Sequence, residues 1–159
     1  MRVFKDNTGR DWQLILNVFQ MKRIRARLGV DLVNVIALDK DGKVQVDLID
    51  RIANDPCLLV DILWVMVEEQ AKVIEVTDEQ FGTALAGDAI ESATKAFLDE
   101  LVDFFPGAKR LFLKKSVDIA RKCAGEWTDV LKKALEDPEL EKRVRESMNL
   151  STSSPASSD

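Results

Sequence analysis

Between Pro56 and Val73 the chain reads as a helix that is apolar almost all the way round: Leu58, Leu59, Val60, Ile62, Leu63, Trp64, Val65, Met66 and Val67 leave little polar face. A helix of that kind is stable in water only when other elements cover it on several sides. The fold must therefore be built around it. A buried strand pair is the alternative, and the length of the segment favours helix. Asp55-Pro56 opens it, a capping carboxylate followed by a proline whose missing N–H costs nothing in the first turn. Asp61, the one charge in the run, marks the thin exposed edge of such a central helix. The run is far short of the roughly 20 apolar residues that cross a bilayer.

The flanking sequence supplies the cover. Residues 2–4 and 12–16 read as two strands, with Asp6, Asn7 and Gly9 making the turn. Asn17 caps a helix over Val18–Leu28, which Gly29 ends. The stretch 30–38 is ambiguous, with Asp31 as the cap of a short helix, and residues 39–42 form a turn. Asp47 caps a helix over 48–53. Thr77-Asp78-Glu79-Gln80 is a capping box. Asp88 caps a helix over 89–104, with Ile90, Ala93, Phe97, Leu101 and Phe104 on a core stripe. After the Pro106-Gly107 break the longest helix spans about 108–136. Phe112, Ile119, Cys123, Trp127, Val130 and Leu131 fall on one side of it, with Lys and Arg pairs opposite. Asp137-Pro138 starts a last helix poor in apolar residues, and the Ser/Pro-rich stretch 151–159 has nothing to bury and reads as a disordered tail. The expected fold is mainly α: an N-terminal β-hairpin (1–17), then a compact multi-helix bundle, in one domain over 1–150.

Charge and chemistry narrow the function. Of the formal net charge of −5, residues 1–29 contribute +5 (seven basic, two acidic), residues 30–107 contribute −12 (five, seventeen) and residues 108–159 contribute +2 (eleven, nine). The net acidity argues against a dedicated nucleic-acid binder. It reads either as a solvated surface or as a polarised docking face. The sequence contains no His, so Ser or Cys would lack a histidine base and a zinc site would lack its usual ligands. Cys57 and Cys123 fall on apolar helical faces, where Cys serves as a small hydrophobe. Asp39 to Asp50 fails as a calcium loop, because Gly42 is fourth rather than sixth and the last position is Asp rather than Glu. Asp99, Glu100, Asp103 and Glu68-Glu69 could in principle serve carboxylate or metal chemistry, but read better as a solvated acidic face. No catalytic, cofactor or metal residues are expected. With no secretion signal at its start, the chain is expected to be soluble and intracellular.

Several phrases carry a family likeness: Phe4-Lys5-Asp6-Asn7-Thr8-Gly9-Arg10-Asp11-Trp12, Lys22-Arg23-Ile24-Arg25 with Leu28-Gly29-Val30-Asp31-Leu32, Thr77-Asp78-Glu79-Gln80-Phe81-Gly82, Ala86-Gly87-Asp88-Ala89-Ile90 and Glu100-Leu101-Val102-Asp103-Phe104-Phe105-Pro106. In layout and in these phrases the chain resembles the small tail assembly chaperones of long-tailed bacteriophages and prophages, up to about residue 140. The resemblance implies a non-enzymatic protein of the bacterial host cytoplasm, absent from the mature virion. It would coat the tape-measure protein while the major tail (tube) protein polymerises around it. Self-association is a further expectation; membrane and nucleic acid are not expected partners. The alternative is a small helical adaptor or regulatory protein with one specific protein partner. Candidate contact residues are Phe104, Phe105 and Phe112 beside the Pro106-Gly107 break, Phe4 at the hairpin edge, and the cations Arg23, Arg27, Arg110 and Lys114.

Overall fold

A computed structural model describes residues 1–152, without the side chains of residues 141 and 149–152. Its internal contacts divide the chain into two compact units, Met1–Asp118 and Ile119–Asp159.

The first unit opens with β1 (Arg2–Lys5) and β2 (Asp11–Leu14), antiparallel with Phe4 opposite Trp12. The alternation sends Phe4, Trp12 and Leu14 into the core. Their turn is built around one buried carboxylate. Asp6 Oδ1 accepts hydrogen bonds from the Thr8 and Arg10 N–H groups and the Thr8 hydroxyl, and Oδ2 accepts from the Trp12 indole at 2.9 Å. Burial pushes the Asp6 carboxyl up. The Thr8, Trp12 and Arg10 hydrogen bonds outweigh that and hold it below the ordinary carboxylate range. Asn7 then ties the turn to the next layer, its N–H donating to the Ala84 carbonyl and its side-chain amide to that of Ala86.

Helix α1 (Val18–Leu28) begins and ends as its sequence predicts, with Asn17 accepting from the Gln20 N–H and Gly29 at φ 68°. Asp31 caps a 3-10 turn over Leu32–Asn34. A second, two-residue hairpin then appears, β3 (Ala37–Leu38) with β4 (Val44–Gln45). Sequence reasoning saw only its turn, because strands of two residues show no alternation. Asp39 organises that turn by accepting from the Asp41 and Lys43 N–H groups and from Gln45. Helix α2 (Asp47–Asn54) includes Asp47 in its first turn, and no side chain caps it, contrary to the expected Asp47 cap.

Helix α3 (Pro56–Val73) is the centre, burying Leu59, Ile62, Leu63, Val65, Met66, Val67 and Ala71 while Asp61 stays exposed. It packs against α1, α2, β2, α4 (Asp78–Thr83) and α5 (Asp88–Phe104). The capping box at Thr77 and Gln80 forms in full. Asp88 does not cap α5. Gly87 precedes the helix at φ 55° and ψ −128°, a conformation open to glycine, so the backbone makes the corner itself. Helix α5 lies against β1 and buries Ala93, Phe97 and Leu101, with Ile90 and Phe104 half-buried.

Helix α6 runs Gly107–Leu135 and α7 runs Pro138–Thr152. The first two residues of the expected tail are thus helical, and the remainder, 153–159, lies outside the described residues. No helix among the described residues is long and apolar enough to cross a membrane.

Candidate protein-interaction surface

The junction into α6 is pinned, not loose. Arg110 donates to the Phe105 and Asp103 carbonyls, both at 2.8 Å, so its guanidinium satisfies the open C-terminal end of α5. Lys109 donates to the Val33 carbonyl at 2.8 Å and lies 4.3 Å from the centre of the Phe105 ring. Phe104 meets Phe105 edge to face. From there Leu113 and Val117 drive α6 into the core of the first unit.

In the second unit α6 carries an apolar face that is exposed. Ile119, Trp127, Val130, Leu131 and Leu135 are all exposed, Trp127 to 68%. Cys123 is exposed on this face, and Cys57 is exposed in the first turn of α3, so neither sulfur does the packing its apolar surroundings suggested. Phe112 and Leu111 are also exposed at the near end.

The candidate residues do not converge on one surface. Phe4 and Phe105 are buried and take no part in a free face; Phe104 is half-buried. Phe112 and Lys114 remain on the surface of α6. Arg23 and Arg27 both bind Glu68, joined by Lys72 at 3.5 Å, and so clamp α1 to α3. Hydrogen bonding from Arg27, followed by the nearby positive charge, holds the Glu68 carboxyl below its ordinary range. Arg110 is consumed by the α5 carbonyls. The acidic candidates are equally committed: Glu100 is buried and accepts from the Leu16 N–H, and Asp103 pairs with Arg2. Among the described residues no group of three or more His, Cys, Asp or Glu could hold a metal ion. A cleft of about 420 Å³ lies between Gly29, Val35, Gln45, Leu48, Arg51 and Leu58. Asp31 at its wall is already bound by Arg25 and Asn34.

The residues that sequence reasoning did not select are Trp127, Val130, Leu131 and Leu135. Their spacing was visible, but exposure depends on how far the core reaches along α6, which no local pattern encodes. Compared with known proteins, the chain matches no family model, no curated protein and no solved structure.

Proposed function

We propose that this protein is a non-enzymatic assembly chaperone of the small phage tail type, which binds the tape-measure protein and aids tail-tube polymerisation in the host cytoplasm. The observation that carries the reading is the uncovered apolar face of α6 from Ile119 to Leu135. Exposed apolar area of that extent is uncommon unless something binds it. A client holder needs adaptable apolar surface that engages many similar segments weakly. Repeated engagement along one long client then supplies the affinity. The first unit suits the role of a handle, since Arg23, Arg27, Arg110 and Glu100 are held by bonds within it.

Co-expression tests it. A phage tape-measure protein should stay in the soluble fraction when co-expressed with this chain, and Trp127→Glu should abolish the effect. A client that precipitates equally with and without the chain ends the proposal. A tight complex with one other partner, and no effect on the tape measure, would mean an adaptor instead.

A further inference from the structure

We infer that the uncovered face of α6 is a seam for one kind of occupant: a straight amphipathic helix whose apolar stripe is edged by Asp and Glu. The inference rests on the contact reading above and narrows it to a partner chemistry.

The first ground is a period. Along α6, Arg110, Arg121 and Lys132 stand eleven residues apart, as do Asp118 and Asp129, Ile119 and Val130, and Leu113, Ala124 and Leu135. Eleven residues close three turns at about 3.67 per turn, near the helix's own 3.6, so each position stays on one side of a straight rod. In the first repeat this register is used, because Leu113 and Val117 are buried. In the second the Leu113 position recurs at Ala124 and Leu135, both exposed, while the Val117 position becomes Thr128. The Leu113 position is thus apolar along the whole of α6, buried at Leu113 and exposed at Leu135.

The second ground is shape. At 100° per residue the apolar arc spans about 160°. Ala120, Cys123, Ala124 and Ala134 are interleaved with Trp127 and Val130 on it. Such a mixture of small and bulky side chains gives ridges and hollows for a second helix to fill. A face meant for lipid would carry bulk throughout.

The third ground is charge, and it selects the partner. Lys115, Lys122 and Lys133 border one edge of the arc, and Lys114 and Lys132 border the other. Glu126 is the single acid at the rim; Asp118 and Asp129 sit on the polar back. Two copies of α6 laid face to face would oppose Lys to Lys, which rules against a second copy as occupant. An apolar stripe edged by carboxylates complements both borders, as edge charges do in paired helices.

Trp127 reports on the seam directly, since Trp12 is buried and Trp64 half-buried. The probes are two synthetic helices of eleven-residue repeats with the same Leu/Ala stripe, one edged by Glu and one by Lys. A third probe is a phosphatidylcholine vesicle containing phosphatidylglycerol. The Glu-edged helix should shift Trp127 emission to the blue and saturate, while the Lys-edged helix binds at least about tenfold more weakly. The double variant Lys122→Glu with Lys133→Glu should reverse that order. Equal binding of the two helices, no shift with either, or a shift with vesicles alone would each overturn the seam. So would a blue-shifted Trp127 in the free chain that reddens on dilution, the mark of a second copy on the face. The two ideas fail separately. A chain that fails these titrations yet keeps the tape measure soluble loses the seam, and one that binds the Glu-edged helix yet lets the tape measure precipitate loses the chaperone role.

Discussion

Two leucines at the same register of α6 meet opposite fates. Leu113 and Leu135 occupy equivalent positions two repeats apart, yet Leu113 is wholly buried and Leu135 is 77% exposed. Periodicity therefore states which face of a helix is adhesive, and only the tertiary structure states whether the chain itself uses it.

The sharpest way to break that comparison is to cut the same side chain in both halves. Leu113→Ala should cost about 3 kcal/mol, the transfer term plus the cavity left in a tight core. Leu135→Ala should change stability by less than about 0.5 kcal/mol, as exposed substitutions do. Urea unfolding followed by circular dichroism measures both. Equal costs would mean that something covers the second half in solution.

A comparable loss, confined to the first unit, is expected at its N-terminal turn. Asp6→Asn keeps the shape but puts an amide where the Thr8, Arg10 and Trp12 donors converge. The cost should be roughly 2–3 kcal/mol, the range for charge-assisted bonds to a buried group. The pH dependence identifies the cause. The folded-state pKa of Asp6 lies below its unfolded value, so its contribution is complete above the ordinary carboxylate range. That contribution is lost as pH falls through the lowered folded value. Thermal melts of the parent should therefore lose stability over that acid window, and those of Asp6→Asn should lose less.

Much of the first unit was legible because its signals are local. Asn17, Gly29, Asp55 and the Thr77–Gln80 box place helix ends through short-range hydrogen bonds, and they stand where the sequence put them. Asp47 and Asp88 have the right residue type for caps, but both lie inside their helices, because a favourable side chain does not fix which turn comes first. The contact surface was less legible. Phe4 and Phe105 look like binding aromatics in a list of residues, and their burial depends on α5 packing under β1, a long-range event. Arg23, Arg27 and Arg110 look like free cations, and their partners Glu68 and the α5 carbonyls are distant in sequence or belong to the backbone.

A variant that acts on binding alone sharpens the contrast further. Trp127→Ala should leave the unfolding midpoint unchanged within about 0.5 kcal/mol, since its side chain is mostly in water. It should weaken client capture about tenfold or more if the ring is the anchor of the face. Pull-down of the proposed tape-measure client under matched concentrations reads the second effect. A large stability loss would move Trp127 from the contact surface into the fold.

The smallest effect is a gain, and it lies at the end of α3. Glu75 holds φ 55°, the left-handed conformation that side chains resist, so that the Val76 N–H can reach the Ala71 carbonyl at 2.9 Å and the Glu75 N–H that of Lys72. Val76 and Ala71 are both buried, which supplies the apolar contact of this helix ending. Glycine adopts that backbone without a Cβ clash, so Glu75→Gly should stabilise the first unit by about 1 kcal/mol, less the freedom gained by the unfolded chain. Its midpoint in urea should rise with the slope unchanged. Binding of the proposed client through Trp127 should not move, because the change lies in the first unit and that face in the second. A Glu75→Gly chain that binds its client more weakly would show that the core and the open face of α6 are coupled.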